Sequence, residues 1–202
     1  MRPFSITPVV KNLLIVNVLV FLAQLVLQAQ IPVTRLLTLW PVGHPYYGPY
    51  QLITYMFVHD PRVLFHLLFN MISLWVFGPR LEAGWGPQRF LFFYLSCGLG
   101  AALVHMAMGL AMGGIAPVLG ASGAVMGLVI ASAYLWPNTE MLIFPIPIPV
   151  TLKWLAVGYV VLDLYNGFRG GTGVAHFAHL GGALTGFIIV LIWNRTNRRN
   201  FY

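Results

Sequence analysis

Six apolar stretches, almost free of charge, leave this chain one environment to fold in. They are residues 12–29, 63–77, 89–112, 122–136, 149–167 and 174–194. About 20 predominantly apolar residues carry a helix across a hydrocarbon core of about 30 Å, and a helix pairs its own backbone polar groups where no water can do so. With 59% apolar and only 7% charged residues, a soluble domain would carry more hydrophobic surface than it could bury. The expected fold is an all-α polytopic membrane protein: a six-helix bundle, residues 1–202 forming one domain, with a short fourth helix that starts below the surface in the manner of a re-entrant segment.

The formal net charge of +7 comes from dispersed residues, with no basic patch interleaved with aromatics, which excludes nucleic acid as a partner. The basic residues bear instead on orientation. With a cytoplasmic N-terminus, Arg2, Lys11, Arg80, Arg89, Lys153, Arg195, Arg198 and Arg199 lie inside and Arg35, Arg62 and Arg169 outside. That asymmetry places both termini in the cytoplasm. Trp75, Trp85, Trp136, Trp154 and Trp193 fall near the inner boundary, where amphipathic rings anchor. The first stretch is long and lacks an A-x-A cleavage site, so it reads as a retained helix. Cys97 stands alone in an apolar run, which makes it a buried, inert thiol. With no transit peptide, the expected location is a prokaryotic plasma membrane, with the polar site opening to the outer side.

Ionisable and polar groups are costly in hydrocarbon, so those inside the stretches are informative. The second stretch holds "HLLFN", with His66 and Asn70 one helical turn apart and hence on one face. The fourth opens with "GASGAVMG", in which Ser122 sits among small residues that, taken alone, read as helix packing. The sixth opens with "HFAHLGGALTG", carrying His176 and His179. In an up-and-down bundle these three beginnings reach similar depth on one side. From Ser122 to Trp136 the helix spans only about 22 Å at 1.5 Å per residue, too short to cross alone. Ser122 therefore belongs below the surface, beside a hydrated cavity that tolerates the uncharged loop preceding it. Gly123/Gly127 and Gly182/Gly186 would let the fourth and sixth helices approach closely and bring Ser122 near His179.

A serine hydroxyl becomes a nucleophile when an adjacent base takes its proton. No carboxylate is expected near this pair, Asp163 lying toward the outer end of the fifth stretch and Asp60 in the first loop, so a Ser-His dyad is the economical reading. The donors able to converge on an oxyanion are the Asn70 amide, His66 and the Ser122 backbone N–H. His176 and His179 have ligand-like spacing, but there is no H-E-x-x-H, and Asp60, Glu82, Glu140 and Asp163 are not expected beside them. A metalloprotease is set aside, and neither metal nor cofactor is expected.

"HLLFN", "GASG" and "AHLGGALTG", on three stretches in this order and supported by "FGPRLEAGWG" after the second, make the chain resemble the rhomboid intramembrane serine proteases over nearly its whole length. The resemblance implies cleavage, without cofactor or metal, of peptide bonds in or near the transmembrane segments of single-span or multi-span membrane proteins within the lipid bilayer. It implies Ser122 as nucleophile, His179 as general base and acid, His66, Asn70 and the Ser122 amide as oxyanion donors, and Gly120 as a shaper of the loop. His59 is implied as a further histidine around the site, and His176 takes a water-retaining or structural role. The family often has an aromatic residue stacked on the catalytic histidine where this chain has Met126. Residues 30–62, with Trp40, Tyr46, Tyr47 and Tyr50, match the family's interfacial first loop, Arg80 and Glu82 are expected to steady an inner turn, and the fifth stretch, entered through "FPIPIPV", is a candidate gate. A client-binding relative without activity and a small transporter with a histidine relay are the competing readings. The intact Ser-His pair speaks against the first, and the lack of an inverted repeat against the second.

Overall fold

The computed structural model describes residues 6–114, 116–143, 146–170 and 175–196. Arg2, Arg198, Arg199, Val174 and the Phe144-Pro145 start of "FPIPIPV" lie outside them. The protein is an all-α polytopic membrane protein. Helices α1 (Pro8–Leu27), α4 (Leu64–Trp85), α5 (Pro87–Ala111) and α8 (His176–Thr196) are each long and apolar enough to cross a membrane. The short α2 (Val33–Leu37) and α3 (Gln51–Thr54), followed by a 3₁₀ turn at Tyr55–Phe57, shape the first loop. Helix α6 (Ser122–Leu135) has 14 residues and α7 (Leu152–Arg169) has 18. Between them lies an antiparallel hairpin, β1 (Glu140–Ile143) and β2 (Ile146–Thr151), with Glu140 opposite Thr151. Where the expected fifth stretch begins at residue 149, the chain is thus still a strand. Pro147 and Pro149 cannot continue a helix interior, and α7 starts three residues after the second of them.

Helix α6 is the centre of the bundle, packed against α4, α5, α7 and α8, with Gly123 through Val129 all buried. Its neighbours turn large apolar side chains such as Phe65, Leu110, Leu162 and Leu184 outward, as α1 does Leu19, the arrangement that suits lipid. At about 21 Å from its residue count, α6 falls short of the hydrocarbon core. The first loop clamps the described residues just before α6. Leu39 and Val118 exchange both backbone hydrogen bonds, at 3.0 and 2.9 Å, and the Gly120 N–H donates to the Tyr55 carbonyl at 2.9 Å. The Tyr55 hydroxyl in turn donates to the Gly98 carbonyl of α5 at 2.7 Å.

Two buried glutamines organise this region. The Gln51 amide donates to the carbonyls of Leu36 and Tyr46 while its oxygen accepts from the amides of Trp40 and Gly48, so a fully enclosed side chain replaces the water an irregular loop would otherwise need. Gln24 on α1 exchanges two hydrogen bonds with the His59 backbone, at 2.7 and 3.1 Å. Glu82 departs from the expected inner turn. It sits within α4 and accepts from the Thr7 hydroxyl and from the Val9 and Val10 amides, satisfying orphan donors at the start of α1 and opposing its dipole. Arg80 lies over the Trp136 ring at 3.7 Å.

Glycines set the α6–α8 distance. A methyl at Gly186 would lie 2.7 Å from the Gly127 Cα, and one at Gly182 would overlap the Gly123 carbonyl oxygen. Both obstacles are backbone, so α8 must move as a whole to admit a side chain. Gly182→Ala is expected to cost about 1–3 kcal/mol of stability as overpacking, read as a lower melting temperature in detergent. Gly158→Ala on α7, where a Cβ meets nothing within 4 Å, is expected to be neutral or slightly stabilising. Equal melting temperatures for the two variants would contradict this close packing.

Candidate active site

Ser122 is the first residue of α6, and the amides of Ser122, Gly123 and Ala124 precede the first intrahelical bond, from the Val125 N–H to the Ala121 carbonyl at 3.0 Å. These donors, which have no intrahelical partner, and the positive end of the helix dipole favour negative charge at this point. Gly120, with φ +119°, turns the chain into the helix through backbone space that a side chain rarely adopts. A Cβ there would also lie 2.7 Å from His66 Nε2. Close packing of α6 on α8 then brings Ser122 Oγ to 2.8 Å from His179 Nε2.

The other ring nitrogen of His179 meets a carboxylate. His179 Nδ1 lies 3.1 and 3.2 Å from the two oxygens of Asp163 on α7, which corrects the expectation that no carboxylate stands near the pair. Helix α7 turns most of its residues outward, and only Leu152, Ala156 and Asp163 are buried. Asp163 therefore points into the bundle from an otherwise exposed helix. His176 Nδ1 shares the same carboxylate, 2.6 Å from Asp163 Oδ1. A carboxylate only accepts, so both Nδ1 atoms carry the proton. Neutral His179 is thereby left with a lone pair on Nε2, facing Ser122. The sign missed in the sequence was that Asp163 is an acid inside an apolar stretch, at the same end of its helix as the two histidines.

His66 stands across the site on α4. Its Nδ1 accepts from the Asp60 N–H at 3.4 Å, which leaves the proton of the neutral ring on Nε2, the atom that faces Gly120. Asn70, one turn further along and buried, donates one amide hydrogen to the His66 carbonyl at 2.8 Å; its second remains. Met126 is buried one turn below Ser122. The aromatic neighbour of His179 is instead His176, edge-on with ring centroids 6.2 Å apart. Gly123, Gly182 and Gly186 serve the helix contact described above.

His59 lies fully buried in the loop before α4, edge-on to His66 with ring centroids 5.0 Å apart, and among the described residues neither of its ring nitrogens meets a partner in good hydrogen-bond geometry. Burial, and secondarily His66, lower its pKa from 6.5 to about 3. The folded protein thus binds fewer protons than the unfolded chain between these values, so stability from this group is complete above pH 6.5 and is lost as pH falls toward 3. The slope is about 1.4 kcal/mol per pH unit. We expect the melting temperature to fall through that window and His59→Phe to flatten the decline. An unchanged pH dependence in that variant would show that other groups govern acid sensitivity.

A family model, the rhomboid domain, matches residues 47–196. The fold and site define a helical membrane protein with a serine-histidine pair at one end of its bundle. The chain belongs to the rhomboid family. It is similar to the human presenilin-associated rhomboid-like protein, mitochondrial, with 32% identity over 190 residues, 91% of this chain and 49% of that one. It is also similar to the Arabidopsis thaliana RHOMBOID-like protein 12, mitochondrial, with 29% identity over 167 residues, 75% of this chain and 48% of that one. Rhomboid protein 1, mitochondrial, of Saccharomyces cerevisiae is 31% identical over 135 residues, 61% of this chain and 36% of that one. The chain spans about half the length of the first two. These mitochondrial relatives overturn the expectation of a prokaryotic plasma membrane with cytoplasmic termini: charge asymmetry bears on orientation in a bilayer, not on which organelle holds it.

Proposed function

We propose that this chain is an intramembrane serine endopeptidase that cleaves membrane-spanning segments of single-span or multi-span membrane proteins. The observation that carries this reading is the 2.8 Å contact between Ser122 Oγ and His179 Nε2. Ser122 attacks the scissile carbonyl carbon while its proton passes to His179 Nε2. The oxyanion takes hydrogen bonds from the free amides at the start of α6, from His66 Nε2–H and from the second Asn70 N–H. His179 then returns the proton to the leaving amine as the C–N bond breaks, and water hydrolyses the acyl-enzyme by the same route. Asp163 holds His179 in the required tautomer and stabilises its cationic form, which extends the expected dyad to a triad.

A helical substrate hides its carbonyls in hydrogen bonds, so segments with glycine, proline or other small residues near the cut are favoured. No metal or cofactor enters these steps. Kinship with mitochondrial rhomboid-like proteins favours a mitochondrial membrane as the setting. The test is incubation of the purified protein in detergent with a single-span substrate carrying such a segment, with products identified by mass spectrometry and Ser122 probed with a fluorophosphonate. Cleavage with labelling at Ser122 supports the protease. Neither cleavage nor labelling across several unwindable substrates would leave a client-binding role instead.

A further inference from the structure

The unexplained feature of the site is that two histidines share one carboxylate. One suffices to orient His179, yet His176 lies even nearer to Asp163. The ligand atoms of Asp163, His176 and His179 lie within 4.8 Å of one another, and the groups are enclosed: the Asp163 side chain is 9% exposed, that of His176 10% and that of His179 18%. In a tetrahedral zinc site, bonds of about 2.0–2.2 Å put ligand atoms roughly 3.3 Å apart. The two Asp163–histidine spacings of 2.6 and 3.1 Å need only small adjustments to reach that. Two imidazoles and one carboxylate are a donor set suited to zinc and poor for magnesium.

We propose that Asp163, His176 and His179 form an inhibitory site for a divalent transition-metal ion of the zinc type. Binding requires a lone pair on each Nδ1, so each neutral ring keeps its proton only by carrying it on Nε2. For His179 that exchange is decisive. The nitrogen facing Ser122 becomes a donor and no longer accepts the serine proton, while Asp163 turns from orienting His179 to holding the ion. The bound protein is therefore inactive, and removal of the ion restores it. The binding stands on the three side chains alone, whereas its consequence for catalysis rests on the protease reading.

The experiment uses tag-free full-length protein in detergent. Zinc binding is measured by equilibrium dialysis with metal analysis for wild type, Ser122→Ala, His176→Gln and Asp163→Asn, with magnesium as the contrast. Fluorophosphonate labelling of wild type and His176→Gln is followed with and without zinc, then after chelation, and melting curves identify folded variants. One zinc per chain is expected for wild type and for Ser122→Ala, with affinity weakened about tenfold or more in the other two, and no magnesium bound. Zinc suppresses labelling of wild type, chelation restores it, and the ratio with and without zinc stays near one in His176→Gln. Absence of stoichiometric binding, or binding of equal affinity in folded His176→Gln and Asp163→Asn, overturns the site. Zinc binding that depends on these residues, in a protein that never labels, would keep the metal site and remove the protease.

Discussion

Ser122→Ala and His179→Ala are each expected to abolish cleavage, with a fall in kcat of about 10⁶-fold, the scale seen when a serine nucleophile or its base is removed. The two side chains act as one unit: without the hydroxyl there is no attacking oxygen, and without the imidazole the Ser122 proton has no acceptor at 2.8 Å. The double variant is accordingly expected to be no worse than either single one. Residual turnover would be what the oxyanion donors around Gly120 and the start of α6 supply unaided. Single-turnover assays with the single-span substrate measure this. Cleavage by Ser122→Ala at more than about a hundredth of the wild-type rate would remove Ser122 as nucleophile.

Asp163→Asn is the next largest effect, an expected loss of roughly 10²- to 10⁴-fold in kcat with little change in KM, by analogy with loss of the acid in serine-protease triads. The amide is the same size, but it can present an N–H to His179 Nδ1. That favours the tautomer with the proton on Nε2, which cannot accept from Ser122. Asp163→Glu keeps the acceptor chemistry and is expected to recover part of the activity. The readout that separates orientation from folding is fluorophosphonate labelling at unchanged melting temperature. If Asp163→Asn retains full activity, Ser122 and His179 work as a dyad and Asp163 serves only the helix contact and His176.

Ser122, His179, His66 and Asn70 stood out in the sequence because a polar group inside an apolar stretch is conspicuous, and because spacing along a helix says which groups share a face. The small residues of α6 and α8 likewise announced a close contact, and Gly123, Gly127, Gly182 and Gly186 make it. Asp163 escaped because it belongs to a different helix from any motif. Its inward direction depends on how α7 is rotated against α8, and a single acid near a stretch's end reads equally as a group at the lipid boundary. Gln24 and Gln51 carried no signal of their roles: the four backbone groups that satisfy Gln51, and the His59 backbone and Thr34 hydroxyl that pair with Gln24, are brought together only in the folded loop. The hairpin before α7 was partly legible in its prolines, which forbid a helix without naming what replaces it.

The sequence by itself determined that the chain is a helical membrane protein and that three of its apolar stretches carry a hydroxyl, imidazoles and a carboxamide near their beginnings, because hydrophobic length and helical period are local properties. Only the tertiary structure decided that the far side of His179 rests on Asp163, shared with His176. The meeting of those atoms depends on the rotation and spacing of three helices, which no single helix encodes.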